Sequence, residues 1–73
     1  MCGISGIIDH HPVTRNLVTS IANLEYRGYD SCGMALLNGK GIEVRKNTGG
    51  VQEVRNREKL DNMTGNLGIA HTR

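Results

Sequence analysis

Four short apolar segments, each bounded by turn-forming residues, most constrain what this chain can fold into. Residues 2–9 and 33–37 are rich in Ile or Leu and predict buried strands, and residues 67–72 predict another. Residues 42–45 alternate apolar and charged side chains, which is typical of a strand with one face in water. Asn38-Gly39 precedes that strand and is a strong β-hairpin signal. The sequence therefore predicts a sheet built around a hairpin.

Helical periodicity separates these strands in two places. Apolar residues recur at helical spacing at positions 13, 17, 18, 21 and 24. That spacing predicts a helix over residues 13–26, with Gly28 as its C-terminal stop. Residues 51–60 predict a weaker helix, in which Glu53 and Arg57 are placed for an i,i+4 ion pair. The predicted order is β-α-β-β-α-β, an α+β fold with a largely antiparallel sheet and helices on one face.

Composition and charge exclude several classes of protein. The 73 residues include no Trp or Phe, so the core must be small and marginally stable. Nine basic and seven acidic residues are interspersed, which does not predict a nucleic-acid partner. The sequence has no membrane-spanning apolar run and no signal-peptide pattern. Cys2 and Cys32 fit neither a zinc spacing nor a disulfide framework, so we expect a cytoplasmic protein with reduced thiols and no metal or cofactor.

Cys2 directly follows Met1 and opens the run Cys-Gly-Ile-Ser-Gly-Ile-Ile. Removal of Met1 would leave a thiol and a free α-amine on one residue, with reference pKa values of ~8.5 and ~7.7–8.0. A nucleophile and its general base would then lie together, as in enzymes that use an N-terminal nucleophile. The alternative is that Cys2 is a small buried residue at the start of a strand.

Two further segments carry polar side chains with two possible roles each. Residues 24–31 bring Arg27 and Ser31 close to a glycine, either as a polar rim for a ligand or as an ordinary helix cap. Arg73 follows a predicted strand, where a guanidinium could hold a carboxylate through two hydrogen bonds or simply face solvent. His71 is a candidate base or ligand, and a structural hydrogen-bond donor is the alternative.

Three motifs stand in one order along the chain: Met-Cys-Gly-Ile-Ser-Gly-Ile at 1–7, Leu-Glu-Tyr-Arg-Gly-Tyr-Asp-Ser at 24–31 and Gly-Ile-Ala-His-Thr-Arg at 68–73. In this order and spacing they resemble the N-terminal glutaminase domain of class II glutamine amidotransferases, within the N-terminal-nucleophile hydrolases. The first motif is shared by several members of that family. The second points to the members that act on sugar phosphates. The resemblance spans essentially the whole chain.

The resemblance implies that residues 1–73 are part of a glutaminase domain and form the opening half of a four-layer αββα sandwich. It implies that Cys2, freed of Met1, attacks the side-chain amide of glutamine while its amine relays protons. Arg73 matches the arginine that holds the glutamine α-carboxylate, and Arg27 matches a supporting arginine near the nucleophile. The ammonia would serve glucosamine 6-phosphate synthesis from fructose 6-phosphate, which binds to a sugar-isomerase domain outside this sequence.

The sequence departs from the family pattern in two respects. Cys32 stands where the family usually has alanine, a small-for-small change that we expect to be buried and tolerated. The family's Trp-Ala-Thr-His-Gly continuation, its oxyanion-hole Asn-Gly pair and its acidic residue for the glutamine amine all lie beyond Arg73. We therefore expect the 73-residue chain alone to be inactive. We also expect Ile4, Leu36 and Ile69 to be partly uncovered, which would favour self-association.

Two other functions remain open on the sequence alone. The chain could be a catalytically silent fragment, or an interaction module that depends on assembly. It could also be a small thiol redox or metal protein using Cys2 and Cys32, although neither cysteine has a nearby partner motif. Retention of Met1 would block the α-amine and exclude the N-terminal-nucleophile mechanism.

Overall fold

A four-stranded antiparallel sheet forms the centre of the computed structural model, which describes residues 3–24 and 31–73. The elements, in chain order, are β1 (Gly3–Ile8), α1 (Thr14–Leu24), β2 (Ser31–Asn38), β3 (Gly41–Thr48), α2 (Val51–Glu58), a short 3₁₀ helix (Leu60–Asn62) and β4 (Leu67–Thr72). The strand order across the sheet is β1-β4-β2-β3. The predicted α+β fold and the β-α-β-β-α-β order are confirmed.

The core lies between the two helices and one face of the sheet. α1 packs over β1 and β4, and α2 packs over β2 and β3. The buried apolar side chains come from both helices, the 3₁₀ segment, the residues that directly flank α1 and the 3₁₀ segment, and the inward positions of β2 and β4: Val13, Leu17, Val18, Ile21, Cys32, Met34, Leu36, Val51, Val54, Leu60, Met63 and Ala70. We call the opposite face of the sheet, on which none of the described helices lies, the outer face.

Small inward residues on β4 allow α1 to lie close to the sheet. Gly68 is the critical one, because a Cβ atom there would stand 2.7 Å from Leu17 Cδ1 and 2.9 Å from Leu36 Cγ. Polar contacts hold the same helix in place: the Thr14 hydroxyl donates to the Met63 carbonyl at 2.6 Å. The start of α1 and the start of β4 are therefore fixed to one another, which positions β4 between β1 and β2.

Backbone capping by an arginine holds α2 against β3. Arg45 Nη1 donates to the carbonyl oxygens of Glu58 and Lys59, at 3.0 and 2.9 Å, where α2 ends. The predicted Glu53–Arg57 ion pair forms at 2.8 Å. Because the carbonyl groups at a helix C-terminus lack partners within the helix, the Arg45 guanidinium supplies donors that those groups need.

Three expectations about these elements need correction. β3 continues to Thr48, beyond the predicted residues 42–45, because its last two residues pair with the start of β2. α2 ends at Glu58 and not at residue 60, since Lys59 takes a left-handed conformation with φ 53°. Leu36 is fully buried, because strand alternation turns it toward the helices and exposes Leu37. The predicted end of the first helix at residues 25–26 and its stop at Gly28 lie outside the described residues.

No helix among the described residues is both long and apolar enough to cross a membrane.

Candidate active site

The ends of three neighbouring strands bring parts of the three sequence motifs to one edge of the sheet. β1 begins at Gly3, which pairs with Thr72 near the end of β4. β2 begins with Ser31, and that residue exchanges two backbone hydrogen bonds with Arg73. The Arg73 N–H donates to the Ser31 carbonyl at 2.8 Å, and the Ser31 N–H donates to the Arg73 carbonyl at 3.2 Å. We call this end of the sheet the motif edge.

Arg73 is exposed and follows directly on β4, so its side chain continues the alternation of that strand. In β4, Ala70 and Thr72 face the helices, whereas Ile69 is on the outer face. Because successive side chains of a strand point to opposite faces, Arg73 belongs to the outer face. Its backbone is hydrogen-bonded to Ser31, and the residue as a whole is exposed.

His71 lies on the same face of β4 as Arg73, two residues earlier in the chain. It is half-buried and pairs with Ile4 on one side and with Gly33 on the other. Gly33 in turn pairs with Lys46, and a Cβ atom there would stand 2.4 Å from Lys46 Cβ. A side chain at Gly33 would therefore displace its neighbours. Because glycine has no side chain, nothing projects from the outer face at this position between His71 and Lys46.

Thr72 is a residue of this edge that sequence reasoning did not single out. It is 2% exposed, and its hydroxyl oxygen is buried without a hydrogen-bond partner among the described residues. It faces the helices, opposite both Gly3 and Cys32. The strand pattern of β4 could have drawn attention to Thr72, because it places a polar side chain at an inward position. Buried polar side chains normally have a hydrogen-bond partner, so one at such a position is a candidate functional residue.

Cys32 also faces the helices and is fully buried, as predicted. It pairs with Thr72 on β4 and with Asn47 on β3. Burial among apolar neighbours keeps a thiol away from solvent and from reagents. This cysteine is therefore a packing residue of the core.

Two of the predicted site residues, Cys2 and Arg27, lie outside the described residues. Arg73, the third, lies at the motif edge beside Gly3, the chain neighbour of Cys2. Within residues 3–24 and 31–73, no three His, Cys, Asp or Glu side chains are grouped so that they could hold a metal ion. A surface cleft of about 540 Å³ lies at the other end of β2, near Asn38 and Lys40, away from the motif edge.

Comparison with known proteins gives a consistent result over the full length of the chain. The chain is 47% identical over 73 residues to glutamine–fructose-6-phosphate aminotransferase (isomerizing) from Methanococcus maripaludis. It is 45% identical over 73 residues to the protein of that name from Bradyrhizobium diazoefficiens, and 41% identical over 71 residues to that from Methanocaldococcus jannaschii. The chain is homologous to the N-terminal region of this enzyme family. No family model matches it.

The matched region is a small part of each relative. The 73 matched residues span 12% of the length of the Methanococcus and Bradyrhizobium proteins, and the 71 matched residues span 6% of the length of the Methanocaldococcus protein. The resemblance to class II glutamine amidotransferases that the motifs predicted is thereby confirmed.

Proposed function

We propose that this chain is the nucleophile-bearing part of a glutaminase, in which Cys2 attacks the side-chain amide of glutamine. The observation that carries the proposal is the pairing of Gly3 with Thr72, next to the Arg73–Ser31 pair. It sets the beginning of β1 and the end of β4 at the same edge. The names of the relatives, which pair glutamine with fructose 6-phosphate, support the same substrate.

The hydrogen-bonding pattern supports a close approach of Cys2 and Arg73. Alternate residues of an antiparallel strand bond to opposite neighbours, so Arg73 bonds to β2 while Thr72 bonds to β1. Gly3, the chain neighbour of Cys2, lies opposite Thr72, the chain neighbour of Arg73. This proximity in the chain supports our proposal that one glutamine molecule can reach both Cys2 and Arg73.

A glutamine molecule fits that arrangement. Its amide carbon and its α-carboxylate are about four to five bonds apart, so the thiol and the guanidinium must lie near each other for one molecule to reach both. The planar guanidinium of Arg73 would bind the carboxylate through two parallel hydrogen bonds. We assign Arg27 a supporting role near the nucleophile, on the motif that also contains Ser31.

The reaction that we propose has two steps. The α-amine of Cys2 takes the thiol proton as the sulfur bonds to the amide carbon, and the C–N bond breaks as the amine passes that proton to the nitrogen, which leaves as ammonia. Water then attacks the resulting glutamyl thioester and gives a proton to the amine, the C–S bond breaks, the sulfur regains the proton, and glutamate leaves. Removal of Met1 is a requirement of this mechanism, because an acylated amine can neither accept nor donate the proton.

We propose that the ammonia serves the amination of fructose 6-phosphate, which takes place outside these 73 residues. We place the reaction in the cytoplasm, where the reducing environment preserves a thiol nucleophile. The competing function is a catalytically silent interaction module, and the exposed apolar side chains of the outer face favour it. The two functions differ in whether Cys2 has a free amine and reacts with glutamine.

A chimeric enzyme tests the proposal. The corresponding N-terminal residues of the Methanococcus maripaludis relative are replaced by this chain, and glutamate formation is measured. Cys2→Ala should abolish it, whereas Cys32→Ala, the same change at the buried cysteine, should leave most of it. Mass spectrometry should show that Met1 is absent from the active protein. Glutamate formation that survives Cys2→Ala would refute the assignment.

A further inference from the structure

The turn between β2 and β3 contains the chain's only Asn-Gly pair, Asn38-Gly39. Asn38 is the last residue of β2 and pairs with Gly41, the first residue of β3, so Gly39 and Lys40 form the loop of the hairpin. Asn38 is half-buried, whereas Gly39 and Lys40 are exposed to water. This turn lies at the opposite end of β2 from the motif edge, and the proposed glutaminase reaction does not use it.

The backbone nitrogen of Gly39 is a potential nucleophile. None of the hydrogen bonds found among the described residues uses the Gly39 N–H. A Cβ atom at Gly39 would meet nothing within 4 Å, so the space around this residue is open. The side-chain carbonyl carbon of Asn38 belongs to the preceding residue, so the chain itself keeps the two groups close together. The nitrogen can therefore attack that carbon and close a small ring.

Hydrogen bonds hold the side-chain amide of Asn38 at both of its polar atoms. The Lys40 N–H donates to Asn38 Oδ1 at 2.8 Å, and Asn38 Nδ2 donates to the Thr64 carbonyl at 3.2 Å. When a nucleophile adds to the amide carbon, negative charge develops on Oδ1. The Lys40 N–H already points at this oxygen, so it stabilises the charge as an oxyanion-hole donor does in an enzyme.

We propose that Asn38 is a site of spontaneous deamidation, in which the turn itself supplies both the nucleophile and the oxyanion donor. The Gly39 nitrogen gives its proton to hydroxide and bonds to the side-chain carbon of Asn38. The bond from that carbon to Nδ2 then breaks, and the Nδ2 group takes a proton from water and leaves as ammonia. The hydroxide is thereby regenerated, and the product is a cyclic imide.

Water completes the reaction by adding to one of the two carbonyl groups of the imide and opening the ring. Opening on one side gives aspartate at position 38, and opening on the other side gives isoaspartate, in which the backbone runs through the side chain. Water is the only co-reactant that is consumed. The reaction therefore does not depend on what covers either face of the sheet.

Either product would weaken the contact between the turn and the segment that leads into β4. The Nδ2 donor is replaced by a carboxylate oxygen, which would face the Thr64 carbonyl with no proton to donate. Thr64 precedes Gly65, where a Cβ atom would stand 2.6 Å from the Leu37 carbonyl oxygen. The Gly65 carbonyl also accepts a hydrogen bond from the Val13 N–H, next to α1. Deamidation of Asn38 therefore acts on the junction of the hairpin with α1 and β4.

Isoaspartate would also change the hairpin. Its backbone contains an additional carbon atom, which lengthens the connection between Asn38 and Gly41. Loop length helps to set the register of a hairpin, so this product would disturb the pairing of β2 with β3.

Peptide mapping of the purified chain tests the proposal. The chain is incubated at physiological temperature and mildly alkaline pH, and samples are digested with trypsin, which releases residues 28–40. The mass of this peptide should rise by the replacement of NH₂ with OH, in two chromatographically distinct products of equal mass. Asn66, which is exposed but precedes a leucine, is the internal control and should remain intact.

Two variants separate the chemistry from its structural effect. Gly39→Ala is the matched variant, because the turn has room for the methyl group while that group obstructs the attacking nitrogen. It should slow deamidation of Asn38 at least about tenfold and leave the circular dichroism unchanged. Asn38→Asp copies one product and should unfold at a lower urea concentration than wild type, because its carboxylate faces the Thr64 carbonyl.

Comparison with a synthetic peptide of residues 28–40 shows whether the fold assists the reaction. The folded chain should react at least as fast as the peptide, because the Lys40 N–H is already in place. A lower rate in the folded chain would show that the fold protects Asn38 and would overturn the proposal. Equal rates for wild type and Gly39→Ala, or equal modification of Asn66, would also overturn it. An unchanged urea midpoint in Asn38→Asp would refute the effect on the junction.

Discussion

Arg73 and Ser31 face each other across β4 and β2 and exchange both of their backbone hydrogen bonds, at 2.8 and 3.2 Å. Arg73, the last residue of the motif at 68–73, is thereby fixed by Ser31, the last residue of the motif at 24–31 and the first residue of β2. Gly3 lies on the other side of β4, opposite Thr72. These contacts hold the backbone of Arg73 at the motif edge.

We expect Arg73→Lys to raise the KM for glutamine of the chimeric enzyme roughly 10–100-fold, with a smaller effect on kcat. Lysine keeps the charge but loses the planar pair of donors that matches a carboxylate. Steady-state kinetics of glutamate formation measures both constants. Arg15→Lys, the same change at an exposed residue of α1, is the control and should alter neither. An unchanged KM in Arg73→Lys would mean that another group binds the carboxylate.

The two cysteines should react with thiol reagents at very different rates. Cys32 is fully buried on the helix-facing side of β2, so alkylation there requires unfolding. We expect one rapid thiol in the native chain and a second only in denaturant. Peptide mapping should identify the rapid one as Cys2, and it should disappear in Cys2→Ala but not in Cys32→Ala. Rapid labelling of Cys32 in the folded chain would contradict its place in the core.

Thr72→Val should stabilise the chain by about 1 kcal/mol, because it removes a buried hydroxyl for which residues 3–24 and 31–73 provide no hydrogen-bond partner. Valine retains the branched shape and the preference for strands. Thr72→Ser keeps the hydroxyl and loses a buried methyl, so it should destabilise by about 1 kcal/mol. Urea unfolding of the two variants beside wild type measures the difference. If valine destabilised the chain instead, the hydroxyl would have to make a stabilising interaction.

Gly68→Ala should destabilise the chain by about 1–3 kcal/mol, since the new Cβ would meet Leu17 and Leu36 at less than 3 Å. The helix α1 would have to move away from β4 to accept it. Gly39→Ala is the matched control, because nothing lies within 4 Å of a Cβ atom at that turn position. It should change stability by less than about 0.5 kcal/mol. If Gly68→Ala and Gly39→Ala changed the free energy of unfolding equally, as measured by thermal or urea unfolding, then α1 would be able to move away from β4 at little cost.

The sequence predicted the elements better than it predicted their arrangement. Asn38-Gly39 predicted the β2–β3 hairpin, and the apolar run near the C-terminus predicted β4. Local signals of this kind depend on turn chemistry and periodicity, which are legible in one sequence. The position of β4 between β1 and β2 depends on pairing between distant segments. Such pairing is decided by packing of the whole sheet, as at Gly68 under Leu17, and no local pattern encodes it.

The same distinction explains the error about the burial of Leu36 and shows which features of the motif edge local patterns could not predict. Met34 to Leu37 are all apolar, so periodicity could not decide which of Leu36 and Leu37 faces the helices. Ile4 and Ile69 were correctly expected to be uncovered. Arg73 could be chosen as a site residue only through the motif that it completes, because an isolated arginine after a strand is usually solvated. Its pairing with Ser31 required the register of two strands far apart in sequence.

The chain alone should release no more ammonia from glutamine than its Cys2→Ala variant, even after removal of Met1. The loss of a single oxyanion-hole donor typically costs ~10²–10³ in rate, and the family's Asn-Gly pair and its acidic partner for the glutamine amine are not among these residues. The uncovered outer face also leaves Arg73 open to water, which weakens its hold on a carboxylate. Glutamate formation by the chain and by Cys2→Ala is measured side by side, with the chimeric enzyme as the positive control. If the chain turned over glutamine faster than Cys2→Ala, and if the rate rose with the square of the chain concentration, a second copy of the chain would have to complete the site.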